Sequence, residues 1–187
     1  MATVDKSGYK PPQGRKTQIL DIVCGECQEG YLISAFFGGN NYGSPSELVQ
    51  VTGIDINGLS IDKAKSVYSS RLGTTISFIQ GDATNLDVID DMPDMADVVI
   101  LRHQQYHANP DVWSAIAEQS LQRVNKNGIL LVTSYNQAEH KDMIQALRKI
   151  GGKVIVDERN NDAFPVPNSS DSAYDMYVAI IRPSFDA

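Results

Sequence analysis

The sequence predicts a single open α/β domain, a mostly parallel sheet covered by helices and finished by an antiparallel pair of strands. Three observations predict it. Short apolar, β-branched runs recur from Thr17 to Thr133 with amphipathic stretches between them, the alternation that right-handed β-α-β crossovers produce. The last two apolar runs have no helical stretch between them, so they pair as a hairpin. The 187 residues suit one domain with a core large enough to fold without metal or disulfide, and no internal repeat divides residues 1–187.

Met1 to Lys16 is polar, carries Pro11-Pro12 and no apolar signal core, and reads as a flexible N-terminal arm (1–16). Thr17 to Val23 is a buried strand, followed by a helix from Gln28 to Phe37 with Tyr31, Leu32, Ala35 and Phe36 at helical spacing. Gly38 to Pro45 is the strongest loop signal, and Leu48 to Ile56 is a second strand ending in Asp55. Ser60 reads as the N-cap of a helix that runs to Leu72 with Gly73 as its C-cap. Thr74 to Gln80 is a third strand running into Gly81-Asp82, and Ala96 to Leu101 a fourth, with a short helical stretch between them. Asn109 followed by Pro110 is a cap with proline at the first helical position. The stripe that follows, Val112, Trp113, Ile116, Ala117, Leu121 and Val124, reads as core. Asn127-Gly128 turns into a fifth strand, Ile129 to Thr133, and a helix from His140 to Ile150 stops at Gly151-Gly152. Lys153 to Asp157 and Tyr174 to Ile181 form the closing strands around a loop from Phe164 to Ser172.

Sixteen Lys+Arg against 23 Asp+Glu give a net charge of −7, a surface that repels polyphosphate and argues against nucleic-acid partners. No apolar run reaches the roughly 20 residues of a membrane span. A cytoplasmic protein with no membrane partner is the expectation. Two cysteines are too few for a secreted disulfide scaffold.

In an open α/β sheet, ligands bind beyond the carboxyl ends of the strands at the switch in strand order. Asp21, Asp55 and Asp82 close three successive strands, and Arg102-His103 follows the fourth. An acid after the second strand suits ribose hydroxyls, Asp82 suits an exocyclic purine amine, and Asp21 suits an ammonium. A nucleoside with a cationic, amino-acid-bearing tail satisfies all three. A pyrophosphate does not, because acids repel it and no G-x-G-x-x-G turn is present. His103 and His107 are candidate bases beside the substrate. Their spacing also raises a metal pair, but no third ligand is evident and no metal is expected.

These residues resemble a family. Ile19 to Gly30 is similar to the first motif of class I S-adenosylmethionine-dependent methyltransferases, Val51 to Ile56 to the second, Phe78 to Ala83 to the third and Ala96 to Leu101 to the fourth. Leu121 to Val132 resembles the helix-turn-strand that follows in that family. The resemblance implies a three-layer α-β-α Rossmann-like fold with a seven-stranded sheet and a bound S-adenosylmethionine. By position, Asp21, Val23, Gly25, Cys27 and Gly30 would border the methionine part, Asp55 and Ile56 the ribose, and Asp82 and Ala83 the adenine. Leu101, Arg102 and His103 would lie beside the reacting methyl.

The family usually carries glycine where this sequence has Val23 and Cys27, and a left-handed residue at position 27 would cost cysteine about 1 kcal/mol. The Gly38 to Pro45 loop stretches the distance from Asp21 to Asp55 beyond the roughly 20 residues of a compact dinucleotide unit. Transfer of a methyl to a small-molecule acceptor is the reading this supports. The run after the fourth strand lacks the Asn/Asp-Pro-Pro-Tyr/Phe of base-directed amino methyltransferases. A non-catalytic S-adenosylmethionine- or nucleoside-binding protein of the same fold is the chief alternative. Cys24-Gly25-Glu26-Cys27, between a strand and a helix, also resembles a thioredoxin-type redox motif. The pocket could be closed by the N-terminal arm, by either loop, or by a second copy of the chain in a homodimer.

Overall fold

The computed structural model describes residues 2–38, 48–69, 76–167 and 172–184. In chain order the elements are α1 (Ala2–Lys6), β1 (Thr17–Ile22), α2 (Gly30–Phe37), β2 (Val49–Asp55), α3 (Gly58–Ser69), β3 (Ile76–Gln80) and β4 (Ala96–Leu101). They continue with α4 (Pro110–Gln122), β5 (Val124–Ser134), α5 (Gln137–Lys149), β6 (Gly152–Arg159), β7 (Phe164–Pro165), β8 (Ala173–Tyr174) and β9 (Tyr177–Pro183). Single 3-10 turns follow β3 at Leu86–Val88 and β4 at Tyr106–Ala108.

Seven strands form one sheet in the order β3-β2-β1-β4-β5-β9-β6. β1 pairs in parallel with both β2 and β4, so the strand order reverses at the β1/β4 boundary. β9 runs antiparallel to β5 on one side and to β6 on the other. The closing pair is therefore a hairpin whose second strand inserts between β5 and the edge. β7 and β8 form a separate small antiparallel pair within the connection.

Alternation along the buried strands divides the core between two faces. Leu20, Val99, Leu101, Leu130 and Ile181 pack with Ile116 and Leu121 of α4 and Met143 and Leu147 of α5. Ile19, Val98, Ile100, Ile129 and Ile180 pack on the other face with Phe37 of α2 and Ile61, Ala64 and Tyr68 of α3. Burial of each such side chain contributes about 1.5–3 kcal/mol, and the two faces give the expected three layers.

Several boundaries differ from the sequence reading. α3 begins at Gly58, and Asn57, not Ser60, caps it: its Oδ1 accepts the Leu59 and Ser60 N–H groups at 3.1 and 3.4 Å. The expected end of that helix at Leu72, its Gly73 cap, most of the Gly38 to Pro45 loop and residues 168–171 of the later loop lie outside the described residues. Val112 is 39% exposed, and Trp113 is half-buried, so the first turn of the α4 stripe is not core.

The N-terminal arm is packed rather than free. Val4 and Tyr9 are buried, Tyr9 meets Phe37 edge-on at 6.1 Å, and Arg15 grips Asp97 through two hydrogen bonds of 2.7 and 2.6 Å. Two buried apolar side chains and the ion pairs of Arg15 with Asp97 and Lys6 with Glu158 dock it. Among the described residues no helix is long and apolar enough to cross a membrane.

Candidate functional site

The turn from β1 into α2 forms one wall of the site. Three of its residues are left-handed: Val23 at φ 58°, Gly25 at φ 55° and Cys27 at φ 48°. Only the middle one is glycine, so two L-residues carry strain of about 1–2 kcal/mol each. The turn is over-determined by its neighbours. Cys24 N–H donates to Ile54 O at 2.9 Å, Cys27 N–H to Cys24 O at 2.8 Å, and the Tyr68 hydroxyl to Cys27 O at 2.5 Å. Gly25 N–H donates to Asp55 Oδ2 at 2.8 Å, while Asp55 Oδ1 accepts the Asn57 N–H at 2.8 Å. A Cβ on Gly25 would meet nothing within 4 Å, so the bare Cα edge faces open space. Gly30 is glycine for the opposite reason: a Cβ there would stand 2.7 Å from the Tyr68 hydroxyl.

Beyond the β1/β4 switch lies a cavity of about 410 Å³. Asp21 lines it from the end of β1, Val23, Cys24, Gly25 and Glu29 from the turn that follows, Arg102, His103, Gln105 and Ala108 from the segment after β4, and Trp113 from the first turn of α4. Burial pushes the Asp21 carboxyl up to about 7, against the opposing pull of Arg102. Arg102 Nη1 lies 3.1 Å from Glu29 Oε1, and its Nε and Nη2 donate to Asp175 at 3.2 and 2.8 Å. Burial alone would raise the Asp175 carboxyl, but His103 and Arg102 hold it well below the usual carboxylate range.

His103 is itself left-handed, at φ 55°. Its ring stacks on Tyr135 at 4.8 Å and 23°, with Tyr174 edge-on at 5.6 Å, and its Nε2 stands 3.0 Å from Asp175 Oδ1. Behind this stack runs a buried polar chain. Gln104 Nε2 donates to Ser134 Oγ at 2.9 Å, Ser134 Oγ bonds His140 Nδ1 at 2.9 Å, and His140 Nε2 meets Asp157 at 3.2 Å. Ser134 is fully buried, so this Ser-His-Asp series fixes the backbone beside His103 and Tyr135 and presents no nucleophile.

The structure thus brings Asp21, Val23, Gly25, Arg102 and His103 around one cavity. Asp55 sits behind Gly25, buried, with each carboxylate oxygen on a backbone N–H. The three strand-end acids do not play one part: only Asp21 lines this cavity, and Asp82 is exposed with its Oδ1 accepting the Thr84 N–H and hydroxyl. Ile56 is 66% exposed, whereas Ala83 and Leu101 are buried in the core. Cys27 is buried on the α3 side with its thiol 3.5 Å from Asp21 Oδ2. His107 is turned away, its Nε2 2.8 Å from Asp142 of α5. Among the described residues no group of three or more His, Cys, Asp or Glu is placed to hold a metal ion.

Cys24 and Cys27 are free thiols. Hydrogen bonding to Cys24, then burial and the Asp21 charge, push the Cys27 thiol up, opposite to what a redox nucleophile needs. Glu29, Tyr135, Tyr174 and Asp175 join the site without having been singled out in the sequence. Tyr174 and Asp175 stood where a strand was expected to begin, and the left-handed Asp175 (φ 53°) has no local signature.

The sequence profile of a family described as a methyltransferase domain matches residues 13–176. A comparison with curated protein sequences finds no match. Among solved structures, a SAM-dependent methyltransferase of Methanosarcina mazei superposes with a TM-score of 0.69 at 15% identity, over 90% of this chain and 93% of its own. A TehB-like SAM-dependent methyltransferase of Corynebacterium glutamicum gives 0.62 at 16% identity, over 90% and 81%. PKMT2 of Rickettsia typhi, solved in complex with AdoHcy, gives 0.55 at 20%, over 73% of this chain and 24% of its own. At such identities the likeness is one of fold.

Proposed function

Because the chain belongs to the class I S-adenosylmethionine-dependent methyltransferase family, we propose that it transfers the methyl of S-adenosylmethionine to a small-molecule acceptor. The observation that carries this reading is the bare edge of Gly25, fixed by Asp55 and facing the cavity between Asp21 and Arg102. The residues present fit the cofactor. Asp21 and Glu29 supply the negative potential an ammonium requires. Asp55 accepts the Gly25 and Asn57 N–H groups and so holds the turn whose bare edge the cofactor would meet. Trp113, Ala108 and Val23 give the cavity its apolar surface.

When bound, the cofactor supplies a methyl on a sulfonium that leaves as a neutral thioether. What remains for the protein is alignment and exclusion of water. Arg102, clamped between Glu29 and Asp175, sets the rim of the site. His103 lines the cavity with its Nε2 3.0 Å from Asp175 Oδ1, so the imidazole can take a proton from the acceptor and the adjacent carboxylate stabilises the imidazolium.

The test separates binding from turnover. Asp55→Ala should weaken S-adenosylhomocysteine binding at least tenfold by calorimetry. His103→Ala should leave that affinity within a factor of two while lowering turnover on a proton-bearing acceptor by about 100-fold or more. Unchanged affinity in Asp55→Ala counts against the site.

A second reading, a binding protein without transfer activity, is favoured by one observation: Val23 and Cys27 occupy left-handed positions that glycine fills at less cost. Formation of S-adenosylhomocysteine from S-adenosylmethionine in the presence of a cell extract decides between the two.

A further inference from the structure

A second cleft, of about 370 Å³, opens on the other side of Arg102. Leu32, Ile33 and Phe36 of α2 form one wall, Ile100 and Leu131 the floor on β4 and β5, and Val4 of α1 the outer side. α1 is held there by β6: the Thr3 hydroxyl donates to Glu158 at 2.5 Å and Lys6 pairs with the same carboxylate. Close-packed interiors leave few voids larger than a water molecule, and this volume falls in the range of small-molecule sites.

Arg102 and Asp175 line the cleft as well, and Arg102 also lines the cavity at Gly25. The two spaces therefore adjoin across the Arg102 side chain, with His103 lining the first and standing 3.0 Å from Asp175, which lines the second.

We propose that the second cleft holds the methyl acceptor, and that the acceptor is a small molecule without negative charge, with a hydrocarbon body and one hydroxyl or amino nucleophile. The proposal rests on the methyltransferase reading of the first cavity. The body follows from the walls, which are apolar on three sides. The absence of negative charge follows from Arg102, whose guanidinium is already shared by two carboxylates, Glu29 and Asp175. One cation against two anions leaves the junction negative, and the other polar groups of the lining, Thr3, Thr133 and Asn160, are neutral. An anionic acceptor would therefore be desolvated with no free cation beside it and is rejected. The nucleophile is the one polar part, and it reaches the junction where His103 stands.

The step balances without a further reagent. The acceptor oxygen or nitrogen forms a bond to the methyl carbon as the carbon-sulfur bond breaks and its electron pair passes to sulfur. The acceptor proton goes to His103, and the products are a methyl ether or methylamine, S-adenosylhomocysteine and an imidazolium beside Asp175.

The test uses the whole chain and two probes with the same fused ring, 1-naphthol and 1-naphthoate, titrated calorimetrically with and without S-adenosylhomocysteine. The expected result is saturable binding of 1-naphthol and binding of 1-naphthoate at least tenfold weaker. Leu32→Trp, a substitution at a half-exposed position of α2, should weaken 1-naphthol at least tenfold and leave S-adenosylhomocysteine affinity within a factor of two. Leu131→Phe, which fills the cleft from its floor, should do the same. No saturable 1-naphthol binding, equal affinity for the two probes, or 1-naphthol binding unaffected by both variants overturns the proposal. Saturable 1-naphthol binding by a chain that takes no S-adenosylhomocysteine overturns instead the donor reading, and the acceptor role with it.

Discussion

Asp21 ties the chemistry of the site to pH. Burial raises its carboxyl from 3.8 to about 7, so the fold favours the protonated form. Its contribution to stability is complete below the unfolded value, and it is lost as pH rises through the folded one. Asp21→Asn, which cannot ionise, should therefore gain in Tm over the parent between pH 5 and pH 8. Thermal melts at the two pH values check this. An ammonium brought beside Asp21 favours the charged form, so S-adenosylhomocysteine affinity of the parent should fall as pH drops below 7. In Asp21→Asn that affinity should be weaker and flat across the same range, as titrations at pH 5.5 and 8 would show. Gly25→Ala places a methyl group in the open space at a left-handed position. It should cost about 1–2 kcal/mol, or a few degrees in Tm, and lower S-adenosylhomocysteine affinity at least tenfold. Asp21, Gly25, Arg102 and His103 were legible in the sequence because each ends or follows a strand. Glu29 and Asp175 were not, since an ion pair between Arg102 and a residue 73 positions away leaves no local pattern.

At the level of elements, local chemistry decided what could be read. Asn109-Pro110 opens α4 as its composition predicts, with the Asn109 side chain accepting the Val112 N–H. Asn109→Ala should cost about 1 kcal/mol, roughly 2–4 °C in a chain of this size, in a thermal melt. α3 shows the limit of the same rule. Asn57 and Ser60 are both good caps, and the backbone chose the earlier one, which also lets Asp55 hold the Asn57 N–H. Trp113 belongs to the apolar stripe of α4, yet in the first turn of that helix it is only partly buried and lines the cavity. Periodicity names the face of a helix. It does not say which turns of that face reach the core. β9 makes the same point for strands: its apolar run was visible, but its place between β5 and β6 depends on long-range pairing. The docking of the N-terminal arm was missed because Val4 and Tyr9, two apolar side chains in a polar run, have no period.

Over the whole molecule, the order of strands places every functional group. The reversal at β1/β4 brings the turn after β1 and the segment after β4 side by side, and the insertion of β9 carries Asp175 back to them. The two clefts that adjoin across Arg102 follow from that arrangement, one between the reversed strands and one under α1 and α2. The account turns on the first of them binding an adenosyl amino acid. Its most direct measurement is a calorimetric titration of S-adenosylhomocysteine into the intact chain at pH 8. The account predicts saturable one-to-one binding that is abolished or strongly weakened in Gly25→Ala. No saturable heat in the folded parent protein, or equal affinity in that variant, would contradict it.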